Sequence, residues 1–262
     1  MEQSTDKPSI SVFFPCYNDA KSIGKLVEDA LLILKKNSRK YEVIVIDDGS
    51  SDNTLEIASK LGARVFTRAL ENDFASQRNF GLEKAKGQWV LFLDADERVT
   101  PELQKEILTE INKPSQIKAY WVKRNDIIWG KSFRFGETSA LKLIRMARKG
   151  AGVWVRRVHE IWDVEGPKGS FKHSLLHYPH QTLSEFIEEV NFYSSLHADE
   201  NAREGKRSTL FKLILWPKMK FFQNIFLRLG ILDGVPGFVL AIIMSFNSFL
   251  AWAKLWIKQE QN

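Results

Sequence analysis

The sequence predicts an α/β fold: a mostly parallel, Rossmann-like sheet, then a β-rich stretch, then a helical and apolar C-terminus. Three observations predict it. From Ile10 to Ile111, short apolar runs alternate with helical patterns, and strands apolar on both faces belong to parallel sheets covered by helices. From Ala119 to Leu176 the helical period gives way to short β-like runs broken by glycine. Beyond Thr182 the chain turns helical again and then strongly apolar. These changes divide it into segments 1–118, 119–181, 182–207 and 208–262.

Each element has its own signal. "ISVFF" (Ile10 to Phe14) is a first strand that ends at Pro15, and Lys21 to Lys36 carries Ile23, Leu26, Val27, Ala30, Leu31 and Leu34 on one helical face. "YEVIVI" (Tyr41 to Ile46) is a second strand, and Asp52 to Leu61 a second helix. "ARVFT" gives a third strand, Ala75 to Lys86 a third helix, and "QWVLFL" a fourth strand. A helix from Pro101 to Ile111 follows, with Thr100 as its cap, because Pro suits the first helical position and Thr the cap. The β-rich stretch reads as an added lobe at the sheet edge. After it, "TLSE" pairs Thr182 with Glu185 as a capping box for a helix running to about Arg203.

Ligands bind open α/β sheets at the carboxyl ends of the strands. Here those ends read "PCYND", "DDGSSD" and "DADE", so three of them converge on one polar, acid-rich cluster. There is neither a GxGxxG fingerprint nor a P-loop, so phosphate has to be neutralised in another way. Asp94 and Asp96, one residue apart at a strand mouth, can hold a hard divalent cation such as Mg²⁺ or Mn²⁺ through oxygen. That cation would span a diphosphate and offset its charge. His173, His177 and His180 do not share a helical face, and Pro179 interrupts them, which argues against a histidine metal triad. Trp121, Trp129, Trp154 and Trp162 read singly as core.

Taken in order, "ISVFFPCYND", "EVIVIDDGSSDNT", "DFASQRNFGLEKAKGQWVLFLDADE" and "VHE" resemble the family 2 glycosyltransferases of GT-A fold. The middle and C-terminal parts resemble the lipopolysaccharide-core β-glucosyltransferase branch, and the first two motifs also resemble dolichyl-phosphate mannosyltransferase-like enzymes. The resemblance implies an inverting, metal-dependent transfer from a nucleotide sugar, UDP-linked, to a hydroxyl of a lipid-linked or envelope glycan. It implies that Pro15, Tyr17 and Asp19 hold the base and ribose, that Asp48 contacts the base, and that Asp47 supports the turn. Arg78 would lie near the base and diphosphate, and Asp94, Ala95 and Asp96 would form the DXD segment for ribose and metal. Glu160 would be the general base, with Asp163 and Glu165 close by in sequence as alternatives. A polyprenyl-phosphate sugar transferase is the alternative in the same class. A non-catalytic nucleotide-sugar or membrane-binding module is the alternative outside it.

Charge and cysteine usage narrow the setting. Residues 203–262 hold nine Lys/Arg against three acids, so the whole net charge of +6 falls in the most apolar part of the chain. Basic, apolar and aromatic together point to a membrane surface, and no nucleic-acid-binding module is visible. Gly234 to Ala253 is uncharged for the length of one span. Pro236-Gly237, Asn247 and lysines at both flanks favour helices lying in the interface instead. Trp216, Phe221, Phe222, Phe226, Phe238, Trp252 and Trp256 are the expected contact residues. The single cysteine, Cys16, allows no intramolecular disulfide, and the polar "MEQSTDKPSI" lacks a signal-peptide core. The expected place is the cytoplasmic face of the inner membrane.

Overall fold

The computed structural model describes residues 9–35, 41–137, 141–158 and 160–261. The chain divides into two compact units, Met1–Lys123 with Lys142–Leu176, and Arg124–Leu141 with His177–Asn262. Part of the β-rich stretch thus belongs with the sheet, and residues 124–141 belong with the C-terminal helices.

In chain order the elements begin β1 (Ile10–Cys16), α1 (Ile23–Lys35), β2 (Tyr41–Asp47), α2 (Thr54–Lys60), β3 (Arg64–Thr67), α3 (Phe74–Lys84) and β4 (Trp89–Phe92). They continue with β5 (Glu97–Val99), α4 (Pro101–Asn112), β6 (Ala119–Ile128), β7 (Lys131–Ser132), β8 (Lys142–Arg148), β9 (Gly152–Val155), β10 (Ile161–Val164) and β11 (Lys168–His177). The order across the main sheet is β3-β2-β1-β4-β8-β6-β11-β5, with β9 and β10 a separate hairpin. β3, β2, β1 and β4 pair in parallel as expected. β8 then pairs antiparallel to β4 and β6 antiparallel to β8, so most of the β-rich stretch extends the sheet. The α/β class stands.

The unbroken apolar runs arise because both sheet faces are covered. Val12, Phe14, Val43, Val45 and Leu91 pack with Ile23, Leu26 and Val27 of α1 and Leu103 and Ile107 of α4. Phe13, Ile44, Ile46, Val90 and Phe92 face the other way, against Ala75 of α3 and against Trp154 and Trp162 of the hairpin. Each such side chain contributes about 1.5–3 kcal/mol by leaving water. Thr100 caps α4 by accepting from the Leu103 N–H.

β1 runs two residues further than its sequence suggested, through Pro15 to Cys16. Leu93 N–H donates to the Phe13 carbonyl and Asp48 N–H to the Cys16 carbonyl, so the odd residues of β1 address β4 and the even ones β2. β4 ends at Phe92, so the N–H that Pro15 lacks has no ladder partner to lose.

α3 crosses β1 closely at Gly81. A Cβ there would meet the Phe13 ring at 2.1 Å, and Phe13 is fully buried. Gly81→Ala is therefore expected to destabilise by about 1–3 kcal/mol through overpacking. An unchanged urea midpoint would show that this packing is looser than described.

The second unit ends in three helices, α5 (Leu183–Arg203), α6 (Leu210–Phe222) and α7 (Val235–Glu260). α5 starts with the full capping box of Thr182 and Glu185. Phe186 and Val190 of α5 pack with Ile128, Phe133, Leu240 and Ile243. α7 is long and apolar enough to cross a membrane, yet its C-terminal half is bound to α5. The Lys254 ammonium donates to the Asn191 carbonyl and side chain and to the Ser194 and Ser195 hydroxyls, and Lys258 pairs with Asp199. The basic flank after Ala253 is thus a helix-packing device.

α6 has no buried residue and rests on α7 through Phe221 against Phe238, Lys212 over the Trp252 ring, and the Ser245 hydroxyl donating to the Pro217 carbonyl. Of the aromatic residues expected at a membrane, Trp216, Phe222, Phe226, Phe238 and Trp256 are exposed. Phe221 and Trp252 are half-buried between the two helices.

Candidate active site

The strand ends of the first unit are fixed by their own acids. Asp47, fully buried at the end of β2, accepts from the Gly49 and Ser50 N–H groups at 2.9 and 3.0 Å and from the Ser50 hydroxyl. It supports the turn. Gly49 takes φ +83°, a left-handed conformation that glycine enters without steric cost. Asp48 accepts from the Leu70 N–H and so ties β2 to the loop after β3. Asp52 accepts from the Thr54 and Ala20 N–H groups, joining the α2 cap to the loop after β1. Asn18, at φ +48°, accepts from the Ser51 N–H, and its own N–H donates to the Ser50 hydroxyl.

Pro15 and Asp19 are half-buried at the mouth of β1. Asp19 accepts from the Ser22 hydroxyl, and burial raises its carboxyl above the usual range, with Asp52 and Asp96 adding to the rise and Arg98 opposing it. Tyr17 stands between them with 62% of its surface exposed. The Cys16 thiol below is buried beside Asp47, and burial pushes its pKa far up.

The acids of "DADE" do three different things. Asp94 takes the Arg78 Nη2 at 2.8 Å on one oxygen and the Arg145 guanidinium on the other. Glu97 is buried, accepts from Arg145 at 2.7 Å, and closes the turn by accepting from the Asp94 N–H at 3.1 Å. Asp96 is half-buried. The Ala95 carbonyl between them accepts from Arg98 at 2.7 Å. Burial raises the Glu97 carboxyl, with Asp94 and Asp96 adding to the rise and Arg145 opposing it. Arg145 is likewise buried, which alone would favour its neutral form, but Asp94 and Glu97 outweigh this and hold it charged.

Arg78, buried on α3, joins the strand end to Glu160. Its Nε donates to Glu160 at 2.9 Å, and its guanidinium lies 4.7 Å from the Trp154 ring centroid. Its Nη1 is buried and makes no hydrogen bond among the described residues. Neighbouring Asn79 accepts from the Trp154 N–H and donates to the Trp154 carbonyl, both at 2.8 Å, so α3 holds the β9–β10 hairpin whose connection carries Glu160. Asp163 lies exposed on β10. Glu160 is therefore the acid brought together with Arg78 and Asp94; His159 of the same motif lies outside the described residues.

Two guanidinium groups here face Asp94, Glu97 and Glu160, with Asp96 beside them. Sequence reading missed Arg145. Its signal was a charged residue within the run Ile144–Arg145–Met146–Ala147, all four buried in β8. The histidines do not converge: His173 lies 3.0 Å from Glu106, His177 2.8 Å from Asp126 and His180 2.9 Å from Glu189. Trp154 and Trp162 are buried and stacked 5.2 Å apart, as core.

Among the described residues no three His, Cys, Asp or Glu side chains form a metal-binding group. A divalent cation still fits, because Mg²⁺ is commonly held by one or two carboxylates with substrate phosphates and water. The acid crowding that raises both Asp19 and Glu97 through Asp96 is the field such a cation offsets.

Residues 11–158 match the family described as glycosyl transferase family 2. The lipopolysaccharide core biosynthesis glycosyltransferase LpsC of Rhizobium meliloti is 30% identical over 95% of this chain and 93% of its own length. Glycosyltransferase GlyG of Streptococcus pneumoniae is 25% identical over 74% of this chain and 62% of its own. Among solved structures, glucosyl-3-phosphoglycerate synthase from Mycobacterium tuberculosis, crystallised with Mn²⁺, UDP and glucosyl-3-phosphoglycerate, is similar at 15% identity and a TM-score of 0.49. That match covers 77% of this chain and 82% of the other.

Proposed function

The chain belongs to glycosyl transferase family 2, and from that premise we propose an inverting, metal-dependent transfer of a sugar from a UDP-sugar to a hydroxyl of a lipid-linked or envelope glycan, such as lipopolysaccharide core. The observation that carries this reading is Arg78, a buried cation that joins Asp94 to Glu160 and whose Nη1 makes no hydrogen bond among the described residues. That Nη1 group is the donor a diphosphate oxygen would take up. Pro15, Tyr17, Asp19 and Asp48 line the base and ribose side, with the exposed Tyr17 ring free to stack.

Asp94 and Asp96 would hold Mg²⁺ or Mn²⁺, which offsets the charge of the departing diphosphate when bound. Glu160 takes the proton of the acceptor hydroxyl as the oxygen attacks the anomeric carbon from the face opposite the leaving group. One displacement inverts the centre, so an α-linked donor gives a β-glycoside. The basic, apolar second unit holds the enzyme at the cytoplasmic membrane face, where a lipid-linked acceptor presents its hydroxyl.

Calorimetric titration with UDP, GDP and CMP, each with and without Mn²⁺, tests the donor side. UDP is expected to bind only with metal, and Asp96→Ala to lose about tenfold or more of that affinity, the equivalent of one charge-assisted contact. Identical titrations with and without Mn²⁺ would remove the metal from the reading.

A further inference from the structure

We propose that the second unit enters the bilayer through the turn between α6 and α7, tip first, and that α7 does not cross it. This rests on the membrane reading above and deepens it. The π-helical turn Gln223–Leu227 and the 3₁₀ turn Gly230–Asp233 join the two helices. With the first turn of α7 they form a tip rich in bare apolar surface: Leu227 is 70% exposed, Leu232 62% and Val235 76%, with Phe226, Leu229, Ile231 and Phe238 also exposed.

The polar groups of this tip are engaged internally. Asp233 accepts from the Arg134 and Phe135 N–H groups, and the Arg228 carbonyl accepts from the Gly136 N–H. The Arg228 side chain donates to Asn224 and lies 3.9 Å from Glu137, which also pairs with Lys220. What remains outward is mostly hydrocarbon, with the Arg228 side chain 37% exposed. Arg134 is exposed beside it, with a side chain long enough to carry its charge back to the headgroups.

The charges along the hairpin match an anionic surface met in this orientation. Lys218 is exposed nine residues before Leu227, about 13 Å back along the helix at 1.5 Å per residue. Interfacial helices sink roughly 5–10 Å into the headgroup–acyl boundary, so the ammonium group would sit among lipid phosphates while Phe222, Phe226 and the turn are below them. Lys206 and Arg207 lie exposed at the far end. A span through α7 would drag its partner α5 inward through the Lys254 and Lys258 contacts. α5 carries Glu185, Glu188, Glu189, Asp199 and Glu200, and such charges are expelled from hydrocarbon.

The test uses the full chain with one labelled cysteine at a time. Cys16 is buried and its thiol is held protonated, so Leu232→Cys, Phe246→Cys and Ile257→Cys each give one reactive site for an environment-sensitive fluorophore. Vesicles of phosphatidylethanolamine with phosphatidylglycerol are added, and depth is read with acyl-chain quenchers. Quenching is expected to fall in the order 232, 246, 257, and Leu232→Glu to weaken flotation by about tenfold, what one buried leucine is worth.

Deepest quenching at 246 would mean a span, and equal shallow quenching at all three would mean helices lying flat. Either overturns tip-first entry while leaving membrane association standing. If the unlabelled wild type does not float, the membrane reading itself fails. A concentration-dependent dimer that Leu232→Glu dissolves, without vesicle binding, would assign the tip to a second copy of the chain and overturn the proposal.

Discussion

Glu160→Gln is expected to slow transfer to a hydroxyl acceptor by about 10²–10⁴-fold, the usual worth of a positioned general base. UDP binding should change little, because the amide keeps the shape of the side chain and can still accept from Arg78, whose Nη2 is also held by Asp94. The loss should therefore fall on kcat and not on KM for the donor, which separates removal of a base from damage to the pocket. A radiolabelled UDP-sugar assay with a cell-envelope acceptor reads it. Retained activity would point to an acceptor that is already anionic, as in polyprenyl-phosphate transfer. Donor binding by the wild type without turnover on any acceptor offered would favour a binding module.

Arg145→Met carries the largest expected stability effect. Arg145 is buried between Asp94 and Glu97, and removing one partner of a buried pair costs about 3–5 kcal/mol because the other charge is left uncompensated. The urea midpoint should fall accordingly. Arg145→Met combined with Glu97→Met should recover much of this, since a buried pair can be exchanged for packed apolar groups at little net cost. Activity should not recover with it, because Asp94 would still lack one of its two guanidinium anchors. Full recovery of both would make Arg145 a packing residue only. Failure of the double variant to regain stability would show that Asp94, not Glu97, is what Arg145 chiefly neutralises.

The parallel half of the sheet could be read from the sequence because β1, β2 and β4 are apolar on both faces. The gathering of acids at the strand ends could be read because such acids have few other reasons to cluster there. What escaped reading depended on contacts between residues far apart in the chain. Nothing in "LKLIRMA" says that Arg145 will lie against Asp94, 51 positions earlier. Glu97 looked like the third acid of a ligand cluster and is instead enclosed as the partner of that arginine. Lys254 stands at the end of the uncharged stretch, and only packing against Asn191 and Ser194 gives its charge a destination. The strand order of the β-rich stretch escaped reading for a similar reason: alternation identifies strands but does not say which existing edge they will join.

The Asn79 amide also restricts motion. By giving and accepting one bond with the Trp154 backbone, it acts as an extra rung on β9, with a helix supplying the neighbouring strand. The hairpin cannot leave α3 without breaking both bonds together, and Arg78 in the adjacent position grips Glu160 by charge. Glu160, the Arg78 guanidinium and α3 are thus one mechanical part. In the proposed transfer, changes of acceptor preference would come from reshaping what surrounds that part, while the distance from Glu160 to Arg78 stays fixed by α3.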